Sequence, residues 1–242
     1  MPDPTPNEIA VLAGGLAHEI RNPLSTIGLN LELLAESLGG TAPDDADDRP
    51  TARRKRMLRT VQGECRRLAE ITDAFLAFAK AGEPDAEPAD LNALVRTFAQ
   101  FFRPTAEEHG VRLSVLAADP LPPVRLDDRL FRQALLNLAL NAQQALTDAG
   151  TPHPHVELAT RPILAGVAGG PAGAVELSVA DNGPGVPAEK RTTMWDPFVS
   201  SKPGGSGLGL PTVRKIVEGH GGRIHCESTP AGTTFRVALP TA

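Results

Sequence analysis

His18 stands in the run Leu16, Ala17, His18, Glu19, Ile20, Arg21, Asn22, Pro23, Leu24, and helical phase turns its imidazole away from the apolar seam of that run. A neutral imidazole in water is a nucleophile and a proton carrier. Other spacings with chemical content lie far downstream. Asn137 and Asn141 are four residues apart, so on a helix both amides share a face, and an amide oxygen is a hard, uncharged ligand suited to Mg²⁺. In Asp181, Asn182, Gly183, Pro184, Gly185 a carboxylate ends a strand pattern. It can accept from an exocyclic amine such as that of adenine, while the two glycines let backbone approach a ring. Trp195, Asp196, Pro197 and Phe198 precede Ser200, Ser201 and Lys202; the aromatic can pin a loop, and the lysine can reach a phosphate as a point charge. Gly204, Gly205, Ser206, Gly207, Leu208, Gly209, Leu210, Pro211 open a helix, where bare amides and the helix N-terminus favour an anion. Taken one at a time, each has an ordinary alternative: a surface histidine, amides bonded to backbone, a Gly-Pro turn, a loop-to-helix junction.

These residues need elements to hold them. Ile9, Leu12, Leu16, Ile20, Leu24, Ile27, Leu31, Leu34 and Leu38 step by three and four, the period of one long helix. His18 lies roughly 160° around from Leu16 at 3.6 residues per turn. Pro23 leaves the Glu19 carbonyl without its usual amide and should bend the helix just past the histidine. A second helical pattern runs Leu58, Val61, Cys65, Leu68, Ile71 or Thr72, Phe75, then Phe78 or Ala79. Between them, Gly39 to Pro50 carries Gly, Pro and four aspartates, which stop the first helix, and the basic run Arg53 to Arg56 reads as part of a solvated tip. One antiparallel pair cannot bury both of its stripes, so two copies are expected to form a four-helix bundle, making the chain a homodimer.

Residues 83–90 read as a polar, Pro-containing linker between a hairpin over residues 1–82 and a second domain over 91–242. In that domain Leu91 to Glu108 and Asp128 to Ala149 read as helices, the latter capped by Asp127. Val111 to Leu116, Val124 to Leu126, His155 to Thr160 and Val175 to Ala180 read as strands. A helix from about Leu210 to Glu218 and strands Arg223 to Glu227 and Thr234 to Leu239 follow, and Arg161 to Gly173 reads as a flexible turn. The expected class is α plus α/β, a helical hairpin followed by a two-layer α/β sandwich.

A formal net charge of −5 argues against a nucleic-acid binder. No apolar run reaches the 18 residues of a membrane span, and the N-terminus lacks the pattern of a signal peptide. The expectation is a cytoplasmic chain, or the cytoplasmic part of a longer one. Cys65 and Cys226 are the only two cysteines and read as reduced packing residues. His109, His153, His155, His220 and His225 form no metal-ligand spacing.

In order, these segments resemble the sensor histidine kinases of two-component systems, from about residue 9 to residue 239, with the short stretch Phe198 to Gly205 similar to the compact lid of the nitrogen-regulation type. The resemblance implies an ATP-dependent protein histidine kinase. His18 would be the phosphoacceptor, Glu19 its base or orienting acid, and Asn22 the residue that helps dephosphorylate the partner. Asn141 would hold Mg²⁺ with Asn137 in support, and Asp181 would read adenine above Gly183 and Gly185, assisted by Thr233. Phe198, Lys202, Gly205, Ser206, Gly207, Leu208 and Gly209 would form the lid and phosphate segment. Ser206 stands where threonine is usual, and Gln144 where some relatives carry a basic residue. The implied partner is the receiver domain of a response regulator; none of these segments resembles the family's membrane or ligand-sensing region. Two other readings share parts of this pattern: an ATP-binding scaffold without transfer, and an ATPase clamp of the gyrase and mismatch-repair type, which leaves the first eighty residues unexplained.

Overall fold

A computed structural model describes residues 6–39, 49–81, 84–163, 173–200 and 205–242. Its Cα positions divide into two compact units, one holding the hairpin up to Ala77 together with Ser200, Gly205 and Ser206, the other comprising Phe78–Val199 and Gly207–Ala242. The hairpin consists of α1 (Pro6–Gly39) and α2 (Arg49–Lys80). The second helix starts earlier than the connection reading allowed: Arg49 and Pro50 are already helical, as proline tolerates in a first turn. Arg54 departs from the solvated-tip expectation as well. It is half-buried, with Nε donating to the Ser37 hydroxyl at 2.7 Å and the guanidinium donating also to the Ser37 carbonyl. The aspartates between Gly40 and Asp48 lie outside the described residues.

Within α2 the alternatives resolve by burial. Ile71 is 1% exposed, whereas Thr72 faces solvent, and Phe78 is half-buried while Ala79 is exposed. Cys65 is exposed rather than packed; Cys226 is half-buried, and burial pushes its thiol up to about 11. Both are free thiols.

The second unit runs β1 (Glu87–Ala89), α3 (Leu91–Glu108), β2 (Arg112–Ala117), β3 (Val124–Leu126), α4 (Asp128–Asp148), β4 (His155–Ile163), β5 (Ala174–Asp181), α5 (Gly209–Gly219), β6 (Arg223–Thr229) and β7 (Gly232–Pro240), with two short 3₁₀ turns at Ala188–Lys190 and Thr193–Trp195. Five strands form one sheet in the order β2-β4-β5-β7-β6, parallel only between β2 and β4. Helices α3, α4 and α5 cover one face and share a single core with it, including Phe102, Phe131, Leu138, Leu158, Leu177 and Ile216. The alternation along β7, with Thr233, Phe235, Val237 and Leu239 buried, is the period-two signature of a sheet covered on one side.

The expected linker is where sequence and structure part. Residues 87–89 form β1 and pair antiparallel with β3. Asp90 caps α3, its side chain accepting from Asn92 and Ala93 amides. The Asp85 amide donates to Asp127 at 3.2 Å, and Arg125 donates to the Ala86 carbonyl at 2.6 Å. Pro88 obscured the strand, because proline is tolerated only at a sheet edge, and a two-stranded sheet consists of nothing else. Strand β4 also reaches Ile163, into the stretch read as a turn; residues 164–172 are outside the described set.

Candidate nucleotide and phosphoacceptor sites

On α1, His18 is exposed, as its helical phase requires, and Pro23 is buried within an uninterrupted helix. The backbone around the proline recruits side chains: the Ser25 hydroxyl donates to the Arg21 carbonyl at 2.9 Å and the Thr26 hydroxyl to the Asn22 carbonyl at 3.3 Å. Such back-bonding accompanies bent helices. Asn22 is exposed one turn beyond the histidine. Glu19 has a partner the sequence did not announce. Arg67 on α2 approaches its carboxylate at 3.6 Å, with the two side chains 32% and 20% exposed. Nearby on α2, Glu64 Oε2 and Arg67 Nε are buried with no partner among the described residues. No local spacing encodes this pair; it depends on the register of the two helices across their connection.

In the sandwich, α4 carries Asn137 and Asn141 half-buried and Gln144 exposed, one turn apart in succession. Asn137 Nδ2 donates to the Gly209 carbonyl at 3.3 Å. A Cβ on Gly209 would lie 3.9 Å from Asn141 Nδ2 and 4.0 Å from Asn137 Cγ. The asparagine face therefore meets the start of α5, where the Leu208 side chain makes no capping hydrogen bond and helix amides favour an anion. Pro211 is buried in that first turn, and the Thr212 hydroxyl donates to the Leu208 carbonyl at 2.6 Å.

The Gly-rich loop has a narrow neck. Phe198 adopts a φ of 65°, uncommon for a bulky residue, and its amide donates to the Gly207 carbonyl at 3.1 Å. Gly207, also at φ +65°, packs so closely that a Cβ would fall 2.5 Å from the Phe198 carbonyl carbon. Only glycine fits there. Trp195 is not part of this loop's tip; it stacks edge-on against Phe235 of β7, ring centres 6.0 Å apart, and so anchors the segment before the neck. Gly205, Ser206 and Leu208 are in the described part of the loop, whereas Lys202 lies outside the described residues.

Further along α4, Asp181 ends β5. Its Oδ1 accepts from the Gly183 amide at 2.9 Å, a carboxylate turn that explains Gly183 locally. Burial raises the Asp181 carboxyl above the ordinary aspartate range, while the amides of Gly183 and Thr233 pull it down. Gly183 is buried, with Leu146 of α4 at 3.6 Å from where its Cβ would be, and a Cβ on Gly185 would sit 2.1 Å from the Thr229 carbonyl oxygen. Asn182, unassigned by the sequence, ties the turn to β4: its Oδ1 accepts from the His155 amide at 2.8 Å. One helix thus spans the two ends of the candidate site, from Asn137 beside the glycine loop to Leu146 beside Asp181, about 13 Å at 1.5 Å per residue. Amide nitrogens at one end and a carboxylate at the other suit a ligand with anionic and amine-bearing ends. Among the described residues no three His, Cys, Asp or Glu side chains cluster as a metal site. A cation here would be held by amide oxygen together with the oxygens of an anionic ligand.

The exposed histidine and this arrangement define a phosphoacceptor hairpin joined to a nucleotide-binding sandwich. Residues 10–84 match the His Kinase A (phospho-acceptor) domain and residues 126–242 the histidine kinase-, DNA gyrase B- and HSP90-like ATPase. The chain belongs to the histidine kinase family, and the acceptor domain leaves no place for the gyrase-type reading. It is 33% identical over 235 residues to the sensory histidine kinase/phosphatase NtrB of Rhizobium meliloti (strain 1021), covering 96% of this chain and 58% of the relative. It is 33% identical over 230 residues to the sensor histidine kinase ZraS of Escherichia coli (strain K12), covering 95% and 45%. The chain spans about half the length of these relatives. Full-length ShkA in complex with AMPPNP is 29% identical with a TM-score of 0.64, over 96% of this chain and 46% of that one. ThkA in complex with its response regulator TrrA shares the fold, with a TM-score of 0.68 at 22% identity over 98% and 64%. No helix among the described residues is long and apolar enough to cross a membrane.

Proposed function

We propose that the chain is an ATP-dependent protein histidine kinase that phosphorylates His18 and hands the phosphoryl group to an aspartate in the receiver domain of a response regulator. The observation that carries this reading is the pairing, in one chain, of an exposed imidazole on a helical hairpin with a sandwich whose α4 links Asp181 to the Gly205–Gly209 loop. Neutral imidazole nitrogen attacks the γ-phosphorus, the bond to the β,γ-bridging oxygen breaks, and ADP leaves. Positioning and charge neutralisation supply most of the catalysis in such transfers. Glu19 accepts the hydrogen bond of the other ring nitrogen and stabilises the ring as it becomes cationic. To do so it exchanges the Arg67 contact at 3.6 Å for the imidazole, so the ion pair is a resting arrangement of the acceptor face.

In this reading Asp181 takes the adenine amine, Gly183 and Gly185 admit the ring, and Thr233 assists. The amides of Gly205, Ser206, Gly207, Leu208 and Gly209, together with Lys202, hold the phosphates. Phe198 closes the loop's neck. Asn141, supported by Asn137, would hold Mg²⁺, which would neutralise phosphate charge; Gln144, exposed one turn on, reaches the same side. Asn22 positions water for dephosphorylating the regulator, an activity that NtrB's name carries. The domains are the hairpin, which associates as a homodimer, and the ATP-binding sandwich with β1 as its first element; the work is cytoplasmic, where ATP is available.

Incubation with γ-labelled ATP and Mg²⁺ should give an acid-labile, base-stable label that passes to a receiver domain on mixing. Binding of ATP with no label on the protein would make it the idle scaffold instead.

A further inference from the structure

Across the end of the sheet nearest Asp181, three strands contribute one polar row. Asp181 of β5 lies opposite Thr233 of β7, and Thr233 lies opposite Ser228 of β6. The next row on the same helix-facing side is Val179, Phe235 and Cys226, so the polar row begins where the apolar core stops. Asp181 and Thr233 have roles in the nucleotide reading. Ser228 has none, yet its hydroxyl is a junction. It accepts from the Val186 amide at 2.7 Å, donates to the Gly232 carbonyl at 3.4 Å and lies 3.2 Å from the Thr233 hydroxyl, where either oxygen can be the donor. A Cβ on Gly185 would come within 3.0 Å of the same oxygen, so the Gly183 to Val186 turn rests directly on it.

We propose that Ser228 is a positioning residue for base recognition, fixing the direction of the Thr233 hydroxyl and seating the Gly183-Pro184-Gly185 turn beside Asp181. A hydroxyl has one proton and two acceptor sites. With Val186 donating to it, Ser228 has its one proton for the Gly232 carbonyl or for the nearer Thr233 Oγ1, and that proton turns to Thr233 when a bound base takes the Thr233 proton. Thr233 then accepts from Ser228, and its own proton is turned outward, beside the Asp181 carboxylate. The result is an acceptor next to a donor. That pair complements the edge of adenine, which offers the exocyclic N6 amine as donor and N1 as acceptor. Guanine presents the reverse, O6 as acceptor and N1–H as donor, and meets like against like. Discrimination of this kind is strong because the wrong base leaves buried polar groups unpaired. Ser228 thereby acts through Thr233 rather than by touching the nucleotide.

The inference rests on the reading of the sandwich as an ATP site, and calorimetric titration of the whole chain with ATP and with GTP separates the two. In Ser228→Ala the ATP dissociation constant should rise about 3- to 10-fold, the loss of one hydrogen-bond constraint. GTP binding should be unchanged, so the GTP-to-ATP ratio shrinks by the same factor, and Ser228→Thr should restore it. Should the alanine variant melt early, Ser228→Cys, close in size with a weak thiol donor, is expected to show the same narrowed ratio. A ratio that stays at the wild-type value, with both nucleotides unaffected or both weakened together, overturns the role of Ser228 and leaves the ATP site standing. Wild-type chain that binds neither nucleotide overturns both.

Discussion

The two units differ in how far each completes itself. The sandwich packs most of its large apolar side chains into one core: Leu130, Leu135, Leu138, Leu146, Leu158, Leu177 and Ile216 are each 1% exposed or less, with Phe101 and Leu116 left outside it at 69% and 57%. The hairpin leaves Leu24, Leu29, Leu31, Leu38, Leu58 and Leu76 between 45% and 64% exposed, although Leu24, Leu31, Leu38 and Leu58 sit at the three-and-four spacing of a buried stripe. Monomeric proteins rarely display such rows. A unit that closes its own core is a self-sufficient binding module, while a hairpin that leaves Leu24, Leu31 and Leu38 of one stripe and Leu58 of the other uncovered has apolar surface to spare for a partner. Under the proposed function the first holds nucleotide as one copy and the second presents His18 as a pair.

Core truncation separates them most sharply. Leu158→Ala, at a fully buried site in β4, should cost about 2–5 kcal/mol of sandwich stability, seen as a lower midpoint in denaturant. Leu31→Ala should leave that transition alone and raise the dimer dissociation constant at least about tenfold by sedimentation, because a symmetric interface loses the leucine twice. A wild-type chain that sediments as a monomer at all concentrations would break the comparison.

Confined to the nucleotide site is Asp181→Asn, which keeps shape and removes charge. ATP affinity should fall about 10- to 100-fold by titration, as expected for losing a charge-assisted hydrogen bond, with hairpin association unchanged. Because burial holds the Asp181 carboxyl above the ordinary range, wild-type ATP affinity should weaken on acidification before exposed aspartates protonate. Affinity independent of pH down to the ordinary aspartate range would argue against that carboxylate as the base-reading group.

Much of this was legible wherever the partners share one element. Asn137 and Asn141 occupy one helix, so their common face follows from 3.6 residues per turn. Leu91–Glu108 forms the helix expected of it, for its apolar period begins directly after a capping aspartate. The exposure of His18 follows from phase alone. What escaped depends on contacts distant in sequence. Strand β1 exists through β3, some thirty-five residues on, and its central Pro88 signals a loop by itself. Arg67 meets Glu19 through the hairpin's register, and Ser228 meets Val186 because β6 and the glycine turn converge at the sheet's end. The exposure of Leu24 and Leu31 has a related cause, since periodicity marks a stripe for burial without saying which chain buries it.

The division of labour between the units is tested most directly by measuring ATP affinity and phosphoryl incorporation side by side in His18→Gln. The account predicts a dissociation constant within about twofold of wild type, since the sandwich is untouched, together with complete loss of the acid-labile label. Label that persists in this variant would contradict it.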